Sequence, residues 1–539
     1  MIIPQLKTAL TEALEALDLQ ANDFQLSPPK NPRFGDFSTN LALLLAHQKH
    51  QNPLRLAEAI KAHLRSDIPY VEAVSVTPPG FINFQLASHY YYEILKTILA
   101  NPDYGRGKFG NGKTANVEFV SANPTGPLTV GHGRQAVLGD TVANILEWNG
   151  YEVTREYYYN DAGRQMRILS QSVESRYFEL LGRKTKFPEA GYQGEYIREI
   201  ARGIKTIHGD NLEPGNPLFL EVAEKSIFQM IRHSLEQLGI KHDIFSNEKT
   251  FYDSGAVDRT IKELKAKGLV YESEGASWFK TTALGMAQDR VLIKSSGEPT
   301  YRLPDIAYHR DKLERGFDLI VDLFGADHLD AYPDVLAALK ALDYPVDHIR
   351  VLIHQFVTLI RKGEKVKMST RKGNFVTLDE LIEEVGRDVV RYFFIMRGMN
   401  SHLNFDLDLA TDQSEKNPVY YLQYAHARIY NILKRADDVP GESGDFDPPL
   451  LEHPTELELL KKLELFPRVM EQALESLEPQ LIANYLQETA TRFHKFYSEC
   501  RVIGVDQSLS LARLALVKGT RIVLANGLTV LGIQAPERM

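Results

Sequence analysis

A histidine flanked by glycines, His132, closes the stretch SANPTGPLTVGHGR at residues 121–134. Pro124, Gly126 and Gly131 let a backbone turn tightly and approach a ligand. A helix beginning there aims its free N–H groups and the positive end of its dipole at the same point. The chemistry this suits is the holding of a polyanion, with His132 donating to phosphate oxygens and Arg134 adding charge or bracing the loop. A structural turn around a satisfied histidine has the same local signature.

Six basic residues, Arg361, Lys362, Lys365, Lys367, Arg371 and Lys372, face the single acid Glu364 in a second stretch. By itself a charge run reads as a solvated face. This one also holds Ser369, Gly373 and Asn374, which suit a loop that folds over phosphates. A histidine turn after one strand and a basic loop after a later one make a two-sided clamp for a nucleoside triphosphate. Asp327 and His328 stand at the carboxyl end of the apolar run DLIVDLFGADH, where open α/β sheets place ligands; a plain loop histidine is the competing reading.

These residues need elements to hold them. ANVEFVSA, the turn, a helix to about Trp148 and YEVTREYYYN form a βαβ unit and predict a parallel sheet. Val137, Thr141, Ile145 and Trp148 share one face of that helix, and Asn149-Gly150 stop it. Upstream, residues 1–110 alternate helical and strand-like runs as an α+β domain and lead into the Gly-rich linker YGRGKFGNGK. The Rossmann-like core spans 111–375 with a mostly helical insertion at about 165–290, and a hairpin turns at Lys362-Gly363. Thr377-Leu-Asp-Glu380 is a capping box; 376–415 is a connecting stem and 416–539 an all-α bundle. The fold class is therefore α/β multidomain, a parallel-sheet core between an α+β domain and a helical bundle.

At 539 residues the chain has room for roughly three to four domains. Its lone cysteine, Cys500, cannot pair within the chain, which fits a reducing cytoplasm and excludes a disulfide framework. Lys7, Glu12, Glu15 and Asp18 interrupt the N-terminal apolar pattern, so it reads as an amphipathic helix rather than a signal peptide, and no run is long enough to span a bilayer. A net charge of −9 gives no general attraction to nucleic acid, so such a partner would need locally concentrated cations.

PTGPLTVGHGR resembles the HIGH signature of class I aminoacyl-tRNA synthetases, and KVKMSTRKGNF resembles their KMSK loop, in the expected order. Thr129 stands where HIGH has its first histidine, and Thr370 where KMSK has its last lysine. With EFVSANPTGPL, YYYNDAGRQ, GEPTYRLPDIAYH, NPVYYLQYAHAR, LGIQAPERM and the N-terminal PRFGDFSTNLAL and GFINF, the resemblance narrows to bacterial-type arginyl-tRNA synthetases and spans essentially the whole chain.

The resemblance implies ATP and Mg²⁺ as cofactors, L-arginine and tRNA(Arg) as partners, and an arginyl-adenylate intermediate; the expectation for the chain itself is a cytoplasmic monomer. It implies catalytic roles for His132, Lys367 and Ser369, and ATP contacts from Thr129, Gly131, His132, Asp327, His328, Lys367, Met368 and Arg371; with Thr370 in the place of the KMSK lysine, the loop cation expected to meet the leaving phosphates is Lys372. Arginine binding falls to Glu118, Asn123, Tyr301 and Asp305, and tRNA binding to Tyr424, Arg428, Met539, Phe81 and Asn83. The residue types agree: a guanidinium calls for carboxylates in fork geometry beside an aromatic wall, and Tyr301 and Asp305 stand four apart. Two rivals remain, a nucleotidylyltransferase of the same superfamily and a non-catalytic RNA-binding paralogue. The flanking domains count against the first, and intact His132, Lys367, Ser369 and Asp305 against the second.

Overall fold

The structure, a computed structural model, describes residues 2–21, 24–366, 376–436 and 446–539. They form two compact units, one of Met1–Pro102, Ile432–Glu464 and Arg492–Ile522, the other of Asp103–Asn431, Leu465–Thr491 and Val523–Met539. In the first unit, strands β1 (Leu26–Ser27), β2 (Phe37–Thr39), β3 (Val71–Thr77) and β4 (Phe81–Leu86) pair antiparallel in the order β1-β2-β4-β3. Helices α1 (Ile3–Glu15), α2 (Leu41–Lys49), α3 (Pro53–His63) and α4 (Ser88–Ala100) accompany them. Leu6, Leu10 and Leu14 bury the apolar face of α1, as the spacing of its charges requires. Cys500 is buried in this unit, with its Sγ 3.6 Å from Thr455 Oγ1.

The second unit is built on a parallel sheet whose central strands are buried on both faces. Its strands are β5 (Thr114–Glu118), β6 (Glu152–Tyr159) and β7 (Ile244–Asn247), then, beyond the small antiparallel sheet of β8 (Val270–Ser273), β9 (Ala276–Phe279) and β10 (Arg290–Ile293), β11 (Leu319–Gly325) and β12 (Ile349–His354). The parallel order is β12-β11-β5-β6-β7. The segment 165–290, read from sequence as mostly helical, thus also supplies β7 to the main sheet. Its helices are α6 (Gly163–Leu180), α7 (Glu195–His208), α8 (Leu218–Gln237), α9 (Glu248–Asp253) and α10 (Ala256–Ala266), preceded by α5 (Val130–Trp148).

Helix α5 ends at Trp148, with Gly150 at φ +92° beyond it. One apolar face was expected, but every residue from Gly133 to Ala143 is buried. The reason lies in its neighbours: β5 and β6 pack on it from the sheet, and α13 (Leu378–Val385) and α14 (Arg387–Ile395) pack on it too. Its buried Asp140 is consequently paired, to Arg391 at 2.7 Å and Arg155 at 3.3 Å. Arg391 also donates to the carbonyls of Leu238 and Leu531, fastening residues 531–532 to this layer.

Helices α11 (Arg302–Glu314) and α12 (Tyr332–Ala341) lie near β11, and β13 (Val357–Arg361) with β14 (Glu364–Lys365) is the hairpin expected at Lys362-Gly363. β15 (Leu403–Asp406) pairs parallel with β13. The Thr377–Glu380 capping box starts α13. Beyond β15 the described elements are helical, α15 (Leu407–Thr411), α16 (Pro418–Arg435), α17 (Pro454–Glu464), α18 (Phe466–Ser476), α19 (Gln480–Glu499) and α20 (Gln507–Val530), with a short 3-10 turn at Pro448–Leu450. Among the described residues no helix is long and apolar enough to cross a membrane.

Candidate active site

The carboxyl ends of β5, β11 and β12 open into one cleft of about 520 Å³. Thr129 caps the N-terminus of α5, and its N–H donates to His132 Nδ1 at 3.2 Å. Since Nδ1 accepts, the ring proton sits on Nε2, available to donate. Burial lowers the His132 pKa, opposed by the carboxylate of Asp327, so the ring is a neutral donor beside the helix's N–H groups. A Cβ on Gly131 would find only Thr129 Oγ1, at 3.7 Å, which leaves room for a ligand against the backbone. Arg134 braces: its guanidinium, wholly buried, donates to the carbonyls of Gln355 at 2.6 Å, Ser401 at 3.1 Å and Gly398 at 3.2 Å.

At the end of β11 the short turn Ala326–His328 carries Asp327 into the cleft. A Cβ at Gly325 would lie 2.5 Å from Asp327 Oδ1, so the absence of a side chain there lets the Asp327 carboxylate fold back against the strand end. The side chain of His328, and all of Lys367, Met368, Ser369, Thr370, Arg371 and Lys372, lie outside the described residues.

The far side of the cleft is acidic. Chain direction reverses after β5 through Val120 and Ser121 at φ +70° and +44°, a strained turn for a β-branched residue. Ser121 Oγ donates to Glu118 Oε1 at 2.8 Å, and the other Glu118 oxygen is paired with Lys312 of α11. Lys312 is fully buried and also meets Asp322 Oδ1 at 2.6 Å. His309 donates from Nδ1 to the Asp305 carbonyl at 2.8 Å and faces Asp322 Oδ2 with Nε2 at 3.1 Å. Burial works against charge on His309, but Asp322 outweighs it and raises the pKa.

Glu118 and Asp322 are thus matched by Lys312 and His309, a closed network of two acids and two bases. Glu118, His309 and Asp322 bring ligand atoms within 4.8 Å of one another, a spacing that could hold a metal ion, but the Lys312 ammonium already supplies the cation.

Asp305 stands apart. Half-buried on the cleft wall, it has no ion-pair partner among the described residues, and desolvation, with Glu248 and Glu118 adding to it, raises its pKa to about 7. Glu248, buried at the start of α9, accepts from Tyr158 at 3.0 Å and Asn160 at 2.7 Å. Tyr158 stacks on Tyr308 with centroids 4.2 Å apart. Asn123 accepts from the Asn160 N–H at 3.0 Å and donates to Gln165. The cleft therefore offers a neutral polyanion seat at one end and uncompensated carboxylate at the other.

Of the residues named from sequence, Glu118, Asn123, Thr129, Gly131, His132, Tyr301, Asp305 and Asp327 line this one cleft. Tyr301 is the N-cap of α11 with its side chain 55 % exposed at the rim, so it and Asp305 meet the cleft at different depths. Phe81 and Asn83 line a second cleft, of about 460 Å³, in the first unit. On α16 the Arg428 guanidinium lies 4.3 Å from the Tyr424 ring centroid and donates to its hydroxyl, which covers one ring face; Met539 is 57 % exposed. Sequence reasoning missed Glu248, Lys312 and His354. Glu248 follows Asn247 and reads as an ordinary first-turn acid, and Lys312 reads as one charge among several on α11.

Comparison with known proteins decides between the readings. Residues 94–393 match the family model "tRNA synthetases class I (R), catalytic domain". The chain is 50% identical over 558 residues to the arginine–tRNA ligase of Salinibacter ruber, covering 99% of each. This chain belongs to the arginyl-tRNA synthetase family. Residues 4–86 match the arginyl tRNA synthetase N terminal domain, and 422–539 the DALR anticodon binding domain. The arginine–tRNA ligase of Desulfotalea psychrophila is 49% identical, with 97% of this chain and 96% of that one covered. The arginyl-tRNA synthetase structure of Thermus thermophilus, at 22% identity, shares the fold with a TM-score of 0.80 over 100% of both chains. The chain is an aminoacyl-tRNA synthetase, with arginyl-tRNA synthetase architecture throughout.

Proposed function

We propose that the cleft joins L-arginine to ATP and that the chain then passes the arginyl group to tRNA(Arg). An arginine carboxylate oxygen attacks the α-phosphorus, the bond to the β-phosphate oxygen breaks, and pyrophosphate leaves. A hydroxyl of the terminal adenosine of tRNA next attacks the adenylate carbonyl and AMP leaves. No enzyme nucleophile is needed; the work is positioning and stabilisation of charge growing on phosphate. His132 Nε2–H and the start of α5 meet the phosphates, Asp327 holds the nucleoside, and ATP arrives as its magnesium complex. Lys367, Ser369 and Lys372, with Met368 and Arg371, close on the phosphates from the basic loop, a role argued from their sequence.

The observation that supports the arginine assignment is Asp305, which with Glu248 lines the cleft without an ion-pair partner among the described residues, beside a network whose own acids are paired. A guanidinium supplies the partner cation, with Glu118, Asn123 and Tyr301 completing its seat. In the second cleft, Phe81 beside Asn83 and the buried Asn40 Oδ1, which has no partner among the described residues, make a socket suited to one unstacked base. We assign tRNA contacts also to Tyr424, Arg428 and Met539, and place the chain in the cytoplasm as a monomer. Pyrophosphate exchange with each amino acid in turn, with and without tRNA, tests the reading: exchange should need arginine. Exchange supported by another amino acid, or by none, would overturn it.

A further inference from the structure

His354 ends β12 and pairs in register with Gly325 at the carboxyl edge of the sheet. It is 6 % exposed and lines the cleft. Its Nδ1 lies 3.2 Å from the Gln355 carbonyl, which also accepts from Arg134 at 2.6 Å. A carbonyl can only accept, so Nδ1 carries the ring proton and Nε2 is a bare lone pair. That Nε2 has no hydrogen-bond partner among the described residues. A Cβ built on Gly325 would stand 3.8 Å from it and 2.5 Å from Asp327 Oδ1, so the lone pair and the Asp327 carboxylate border the same small space, which a ligand group reaches by displacing that flexible side chain. Burial, together with the Arg134 charge, lowers the His354 pKa to about 4, and the ring stays an acceptor at neutral pH.

The position of His354 along the sheet edge says which part of a ligand it meets. The phosphate seat follows β5, Asp327 follows β11, and His354 ends β12, each step across the sheet being about 4.8 Å. A nucleotide whose phosphates sit at α5 and whose sugar lies beside the carboxylate of Asp327 must put its base at β12. The cleft there is apolar, walled by Leu336, Val351 and the exposed ring of Phe356. We infer that His354 reads the base, its Nε2 accepting a hydrogen bond from the 6-amino group of adenine and thereby selecting ATP over nucleotides that present an acceptor at that position. Guanine, with O6 there, would set two lone pairs against each other. This role rests on the nucleotide reading given above.

The test compares ATP with purine riboside triphosphate, which lacks only the 6-amino group, in arginine- and tRNA-dependent pyrophosphate exchange. Wild-type enzyme should prefer ATP by about tenfold or more in kcat/KM, the scale of one buried acceptor left unpaired. His354→Leu should lose that factor with ATP, keep its rate with purine riboside triphosphate, and leave the arginine KM unchanged. His354→Gln, whose amide oxygen can accept, should retain part of the preference. Equal losses with both nucleotides, or a wild-type enzyme indifferent to the amino group, would overturn the assignment. So would a His354→Leu variant whose changed preference is for 2′-deoxyATP, because that would put a sugar hydroxyl at Nε2. Calorimetric binding of the two triphosphates to wild-type protein needs no chemistry: if exchange fails but the preference in binding persists, the reaction reading falls and the role of His354 stands. If neither triphosphate binds, both fall.

Discussion

Two neutral histidines face the cleft on opposite tautomers, His132 offering an N–H and His354 a lone pair, because one Nδ1 accepts from a backbone N–H and the other donates to a backbone carbonyl. Asp305 titrates near neutrality, among neighbours His309 and Glu248 whose pKa values are also raised. Its pKa of about 7 means that below neutrality it holds a proton, which a guanidinium must displace. The arginine KM should therefore fall by about tenfold per unit as pH rises towards 7 and level off above it. Steady-state kinetics at fixed saturating ATP would show this, and a flat profile from pH 5.5 to 8 would count against Asp305 as the guanidinium partner. In Asp305→Asn the slope should vanish and the KM rise on the order of 100-fold or more, with ATP KM nearly unchanged.

At the scale of elements, Lys312 ties α11 to β5 and β11 through one ammonium. Lys312→Met should lower stability by about 3–5 kcal/mol, since it strands buried carboxylates, and adding Glu118→Gln should return part of the loss. Thermal melts of the single and double variants decide; strictly additive losses would refute the coupling. Much at this scale could be read from sequence. The α5 stop at Asn149-Gly150, the Thr377 capping box and the Lys362-Gly363 turn are set by residues within a few positions of one another. The acid network could not be read that way: Lys312 meets Glu118 across 194 positions, and Glu248 meets Tyr158 across 90. Asp322 left a trace as the one charge inside an otherwise apolar strand run, but its partners are fixed only by the packing of α11.

At the scale of the whole molecule the chemistry is expected to wait for RNA. Pyrophosphate exchange should be nearly silent without tRNA, as the family resemblance implies, and Phe81→Ala should weaken charging through the KM for tRNA while leaving the rate at saturating tRNA intact. Robust exchange in RNA-free enzyme would contradict the first expectation, and an unaltered tRNA KM the second. The second unit is also discontinuous, drawing on Leu465–Thr491 and Val523–Met539 as well as its main segment. Arg391 donates to Leu531 across 140 positions, and Gly532, at φ +67°, leaves space that a Cβ would fill 2.1 Å from the same guanidinium. During synthesis at roughly 5–20 residues per second, Arg391 precedes its acceptor by on the order of 10 s. An enzyme that feeds translation thus depends on translation reaching residues 523–539 before its own catalytic unit can close, and a nascent chain stalled short of them should remain open to protease.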